Sequence, residues 1–320
     1  MRFSDTIKNR RYFFFGGKGG VGKTIAASAV AIYLSETLGK KTLLSSTNPV
    51  HSLSGCFEQD FVGKGEVRVE GCSNLHALEI ETGEAVSRYR GETKQRILNF
   101  LKYADIPIDP APFVDAAMTN PAFEESAMFD EMVDLILKGK YDCIVFDTAP
   151  VAHTYRLLGM SKIYDMWLGK MIKSRQKAMS LRKKLSFRKE TLREAAEDPM
   201  VRSLLTFRRR TDDVRNILTD HKLTAFYFVT LPLALPISVV ERFIYWVRAF
   251  NIPIGGVIVN EVMPSMDTKS PFILNKLREQ EQYMSLIDEK FKDLVVAEIP
   301  IYEDEVRGLG TLKEVSKVFA

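Results

Sequence analysis

Seven short apolar runs recur along the chain: YFFF (12–15), KTLLSS (41–46), NLHALEI (74–80), CIVFD (143–147), FYFVT (226–230), GVIVN (256–260) and LVVAEI (294–299). Most are nearly continuous rather than alternating, the pattern of strands covered on both faces. Helical periodicity fills several of the gaps, as over Thr24–Leu38, which Gly39 ends like a C-cap, and over Val239–Phe250. Strands alternating with helices predict an α/β fold with a mostly parallel, doubly wound sheet. The longest uncharged run, Leu223–Val240, is about long enough to span a bilayer. Its Pro232 and Pro236, and its β-rich first half, predict a buried strand followed by a loop instead.

Two stretches break the rhythm. Thr82–Lys138 and Ser161–His221 are long, helix-rich and without convincing strands, and they hold seven of the twelve Met residues. They read as one helical subdomain made from two insertions. The expected organisation is a core in three parts, 1–81, 139–160 and 222–320, with insertions at 82–138 and 161–221.

Composition adds little except through charge and cysteine. With 46% hydrophobic and 27% charged residues the chain is an ordinary globular one. The polar opening, Met1–Arg11, is not a signal peptide. Cys56, Cys72 and Cys143 make no CxxC pair and are odd in number, which favours a reducing compartment over a disulfide framework. A cytoplasmic location follows, with transient residence at a membrane surface open. The net charge of +4 is uneven, because Ser161–Arg210 carries 15 Lys/Arg against five Asp/Glu. Such asymmetry suggests an insertion with its own surface and partner.

The chemistry begins directly after YFFF, at GGKGGVGKT (Gly16–Thr24). Gly17, four residues, then Gly22-Lys23-Thr24 satisfies the P-loop pattern. Backbone N–H groups from Gly17, Gly19, Gly20, Val21 and Gly22 can curl around phosphate oxygens, with the following helix aiming its positive end at them. Lys23 would neutralise β/γ-phosphate charge and the Thr24 hydroxyl would ligate Mg²⁺. A glycine-rich turn with no nucleotide is the plainer alternative, and the strand before and helix after argue against it. Asp147 ends the CIVFD strand, where a second carboxylate would hold Mg²⁺ through water.

Lys18 gives the loop a KGGxGK[ST] form that resembles the deviant Walker A motif, although Lys18 alone could be a solvated loop charge. With STNPVHSL (46–53) and DTAPVAHTYRLL (147–158), the chain resembles the anion-pump ATPase family in a divergent, archaeal-type form. That family groups the arsenite pump ATPase with the Get3/TRC40 factors that target tail-anchored proteins. PAFEESA (121–127), ERF (241–243), VIVNEVMP (257–264) and IPIYEDEVRG (299–308) extend the likeness over about residues 11–318. The resemblance implies an ATP- and Mg²⁺-dependent P-loop ATPase that works as a homodimer, with Lys18 reaching the other subunit's nucleotide. It implies that Asn260 reads adenine, that Pro300 and Ile301 flank the base, and that His51 and His153 act in the two switch loops by conformation and hydrogen bonding.

Several positions depart from the family pattern. Asn48 stands where the family has the Asp that positions or activates the hydrolytic water. An amide orients water by its carbonyl but accepts no proton, so turnover is expected to fall by anything up to the ~10²–10⁴-fold typical of a general base. Leu233 follows Pro232 where relatives have Glu, and Ala152 replaces a glycine. Ser270 and Ile273 stand where many relatives carry a CPFC pair that shares zinc between subunits, so no zinc is expected.

In the second insertion Ile163, Met166, Trp167, Met171, Ile172 and Met179 keep an approximately helical spacing, opposite a basic face of Lys162, Lys170, Lys173 and Lys177. An ordinary subdomain core is one reading. The resemblance implies the other, in which Met166, Trp167, Met171 and Met179 line a groove for a client's hydrophobic transmembrane segment, delivered to a membrane receptor. Three scattered cysteines do not supply an arsenite site, and no nucleic-acid motif accompanies the basic residues. The expected activity is therefore a slowed ATPase with nucleotide-gated client binding. A non-hydrolysing ATP-dependent scaffold is the alternative, and an anion-pump motor subunit the less favoured third.

Overall fold

The computed structural model describes residues 2–47, 51–104, 109, 111–119, 123–147 and 199–320. These form two compact units, one of residues 2–82, 134–147 and 217–320, the other of 83–133 and 199–216. The first is built on an eight-stranded sheet of order β3-β4-β2-β5-β1-β6-β7-β8. Its strands are β1 (Tyr12–Gly16), β2 (Thr42–Ser46), β3 (Val67–Arg68), β4 (Leu75–Glu79), β5 (Cys143–Asp147), β6 (Thr224–Thr230), β7 (Ile254–Val262) and β8 (Val295–Pro300). Every pairing is parallel except β3 with β4. All seven runs read from the sequence are strands, and the two-residue β3 is the addition.

The continuous runs are explained by burial on both faces. Phe13 and Phe15 join Leu44, Val145 and Tyr227 in a cluster with the first helix after the loop, α2 (Lys23–Ile32). Four alanines in α2 are fully buried, and their small side chains let the helix lie close to the sheet. On the alternate positions Phe14 stacks between Phe146 and Phe226, at centroid distances of 4.7 and 4.5 Å. Register produces this row, because Phe14 pairs with both residues.

Helix boundaries differ from expectation in two places. The helix expected over Thr24–Leu38 is α-helical only to Ile32 and continues as a π-turn over Tyr33–Thr37, closed by Leu38 N–H on the Tyr33 carbonyl at 3.2 Å. Gly39, at φ +64, then lets Lys40 N–H reach Leu34 O at 3.0 Å. After β6 a helix rather than a loop begins at Ala234: α8 (Ala234–Ala249) starts five residues before the expected Val239. Pro236 is tolerated there because it falls in the first turn, where its missing N–H costs no intrahelical bond.

The first unit also contains α1 (Phe3–Thr6), α3 (Ser52–Phe57), α9 (Pro271–Phe291) and α10 (Gly308–Ser316). In the second unit lie most of α4 (Thr82–Ala104), α5 (Ala111–Met118), most of α6 (Phe123–Lys138) and most of α7 (Pro199–Thr219). Met132 and Val133 are buried there, Tyr89 packs on Phe123 at 5.0 Å, and Arg88–Glu131 and Arg210–Asp130 pair across helices.

Candidate active site

Parallel pairing brings the C-terminal ends of the strands to one edge of the sheet, where open α/β sheets bind ligands. Phe15 pairs with Asp147, Asp147 with Ser46, and Ser46 with Glu79, so two carboxylates and a hydroxyl stand in a row beside the loop after β1.

Glycine is required in that loop at two points. At Gly17 (φ +155) a Cβ would overlap the Val229 carbonyl, and at Gly22 (φ +85) it would overlap the Asn260 side-chain amide. Gly19 and Gly20 have nothing within 4 Å of a Cβ position and are exposed, the open side a phosphate would need. Val21 is buried beneath. Lys23 Nζ donates to the Lys18 carbonyl at 3.1 Å. Burial pushes the Lys23 ammonium below the usual lysine range, and the charge of Asp147 works against that shift.

Asp147 is 1% exposed, and three hydroxyls converge on its Oδ2: Thr24 at 2.7 Å, Ser46 at 3.3 Å and Ser52 at 3.4 Å. Thr24 Oγ1 also lies 3.2 Å from Ser52 Oγ. Burial pushes the Asp147 carboxyl above its ordinary range. The Thr24 bond, the Lys23 charge and the two serine hydroxyls oppose that shift. A buried carboxylate beside the Thr24 hydroxyl is a hard-oxygen donor set that fits Mg²⁺. Among the described residues no three His, Cys, Asp or Glu side chains converge, so a cation here would have to take further ligands from nucleotide phosphates and water.

Asn260 comes to the same edge from β7. It is 4% exposed, and its Nδ2 donates to the Val21 carbonyl at 3.1 Å, joining the strand to the glycine loop. β8 ends at Pro300, half-buried, and Ile301, exposed, which is held to β7 by its N–H on Val262 O at 3.0 Å. The chain then returns to α3: Arg307 Nε donates to the Gly55 carbonyl at 3.2 Å and lies 3.5 Å from a Glu58 carboxylate oxygen.

A family model described as anion-transporting ATPase matches residues 10–320. The chain belongs to the anion-transporting ATPase family. Its relatives include ATPase get3 of Schizosaccharomyces pombe, 30% identical over 96% of this chain and 90% of that protein. ATPase GET3C of Arabidopsis thaliana is also 30% identical, over 96% of this chain and 82% of its own length. ATPase ASNA1 homolog 2 of Paramecium tetraurelia is 29% identical over 95% and 91%.

In this member of the family, then, Gly17, Gly22, Lys23, Thr24, Asp147 and Asn260 gather at one sheet edge. Ser270 and Ile273 lie elsewhere, as the N-cap and the third residue of α9, whose Gln280 clamps the Met263 backbone through bonds of 2.7 and 3.0 Å. Asn48, Ala152, His153, Met166, Trp167, Met171 and Met179 lie outside the described residues. His51 is described: it has a left-handed backbone (φ +50), and its Nδ1 is 3.8 Å from Glu79 Oε2.

Sequence reasoning missed Ser46, Ser52 and Glu79. Ser52 lay unremarked in STNPVHSL. The available signal for Glu79 was a carboxylate closing an apolar strand, the same pattern that singled out Asp147.

Proposed function

We propose that this chain is a Mg²⁺-dependent ATPase, slowed by Asn48, that works as a homodimer and gates the binding of a hydrophobic, tail-anchored-type client. The observation carrying this reading is the convergence of Thr24, Ser46 and Ser52 on the buried Asp147, next to a glycine loop whose lysine sits within the influence of that carboxylate. Family membership and relatives named as ATPases support it further.

In this mechanism the loop amides of Gly19–Gly22 hold phosphate oxygens, and Lys23 follows the charge toward the β/γ bridge. Thr24 and Asp147 would hold Mg²⁺, which supplies charge neutralisation of the phosphates when bound. Asn260, already buried against the loop, presents an amide for the base, with Pro300 and Ile301 on its flank. Asn48 orients a water without taking its proton. Phosphoryl transfer is loose enough to tolerate an amide in that role. Lys18 serves the opposing subunit, and the Met-bearing insertion around Met166, Trp167, Met171 and Met179 receives the client. Among the described residues no helix is long and apolar enough to cross a membrane. Buried cysteines, with thiols pushed up to about 11, speak against anion-pump thiolate chemistry.

Steady-state phosphate release by the wild type and Asn48→Asp, with Lys23→Ala as the zero, tests the reading. A working ATPase turns over as wild type and gains modestly from Asn48→Asp. A silent wild type rescued by Asn48→Asp favours the ATP-holding scaffold, which the amide at position 48 already suggests. If neither protein turns over, the enzyme reading fails. An ATP-independent affinity for a hydrophobic helix peptide would refute the gating.

A further inference from the structure

The short helix α3 begins without a capping side chain of its own. Its N-cap, His51, has a left-handed backbone and makes no side-chain cap bond. The two N–H groups that an N-cap would satisfy, those of Leu53 and Ser54, are donated instead to Glu79 Oε1 from the end of β4, at 2.7 and 3.1 Å. Ser54 Oγ donates to the other oxygen, Oε2, at 2.6 Å and itself accepts from Phe61 N–H at 3.0 Å. Glu79 is buried, and His51 Nδ1 lies 3.8 Å from its Oε2. A buried carboxylate spent on three donors of one helical turn fixes that turn firmly. Immediately ahead of the turn is Ser52, whose hydroxyl meets Asp147 and Thr24.

We infer that Glu79 is a positioning residue for the ATPase reaction: through Leu53 and Ser54 it sets where the Ser52 hydroxyl stands against Asp147 and Thr24. Sheet register supports the geometry, since Ser46 is flanked by Glu79 on one strand and Asp147 on the other. Both carboxylates are therefore fixed to the same rigid edge, and α3 hangs between them. The inference rests on the proposed ATPase reading, and its test separates the two.

Three variants are compared with wild type for kcat, KM for ATP, and backbone hydrogen exchange at Leu53 and Ser54 with and without Mg²⁺ and a non-hydrolysable ATP analogue. Glu79→Ala is expected to lower kcat by about 10–100-fold, in the range that misplaced groups cost, while KM stays within about threefold. Its Mg²⁺-analogue-dependent protection at residues 53 and 54 is expected to disappear. Glu79→Gln keeps an acceptor for both N–H groups and an amide that can donate to Ser54 Oγ, so it is expected to restore kcat to within about threefold of wild type. Should Glu79→Ala fail to fold, Ser54→Ala removes the Oε2 bond together with the Phe61 N–H bond to the same hydroxyl and leaves both N–H bonds to Oε1, with an expected drop of about three- to tenfold. The inference is overturned if Ala retains wild-type kcat and protection, if KM rises while kcat holds, or if Gln is as impaired as Ala. A wild type with no turnover sinks the ATPase reading alone. Positioning then stands or falls on whether the analogue-dependent protection is lost in Ala and kept in Gln.

Discussion

Replacing Gly22 by Ala tests the tightest joint of the site. The residue is left-handed at φ +85, which costs an L side chain roughly 1–2 kcal/mol. Its Cβ would overlap Asn260 Nδ2 and come within 3.2 Å of Asn260 Cγ. Asn260 is buried, so it can yield only by giving up its 3.1 Å bond to the Val21 carbonyl, worth about 0.5–1.5 kcal/mol. Gly22→Ala should therefore destabilise the protein by about 1.5–3.5 kcal/mol. In an Asn260→Ala background the obstacle and the bond are both gone, and only the backbone cost of about 1–2 kcal/mol should remain. Urea unfolding of the four proteins in the double-mutant cycle, followed by circular dichroism and by tryptophan fluorescence, gives a coupling of about 0.5–1.5 kcal/mol. Additivity within about 0.3 kcal/mol would mean that Asn260 does not press on the loop, and would refute the reasoning.

Three further outcomes are expected. Asp147→Asn removes a buried charge whose folded pKa is raised. A raised carboxylate binds protons more tightly in the folded state, so wild-type stability in EDTA should fall as pH rises from the ordinary carboxylate range toward that raised value. The Asn variant, lacking that term, should match or exceed wild type at pH 7.5 and lose its margin in acid, yet gain less melting temperature from Mg²⁺ and ATP; equal gains would contradict the Asp147 assignment. Thiols at Cys56, Cys72 and Cys143 raised to about 11 hold only about 0.1% thiolate at pH 8, so native alkylation should be slow and unfolding should release all three to mass-spectrometric labelling. Phe14→Ala breaks the row with Phe146 and Phe226 and should cost about 3–5 kcal/mol in urea unfolding; less than about 1 kcal/mol would mean the neighbouring rings collapse into the gap.

The strands were legible because residues such as Phe13–Phe15 and Val257–Val259 are buried on both faces, which leaves an unbroken apolar run in the sequence. Val67–Arg68 left no such mark, being a two-residue strand paired antiparallel with Ala77 and His76. Pro232 and Pro236 obscured the start of α8, since a proline in a first turn looks the same in sequence as one that breaks a helix. The π-turn at Tyr33–Thr37 carries no local signal at all. At the site, the glycine spacing announced the loop and Asp147 stood out as a lone carboxylate ending a hydrophobic strand. Ser46 and Glu79 reach that carboxylate's neighbourhood only through the register of three strands far apart in sequence, which spacing along the chain cannot express.

The tether from Arg307 to Gly55 and Glu58 makes α3 a strut fastened at both ends, with left-handed residues, His51 and Glu58, at its two joints. A strut transmits displacement along its length instead of absorbing it. A shift of the 300–307 segment would pull on α3, whose first residue carries the hydroxyl bonded to Asp147. Occupants that differ only at the segment's end of the site would then be told apart by their turnover more than by how tightly they are held.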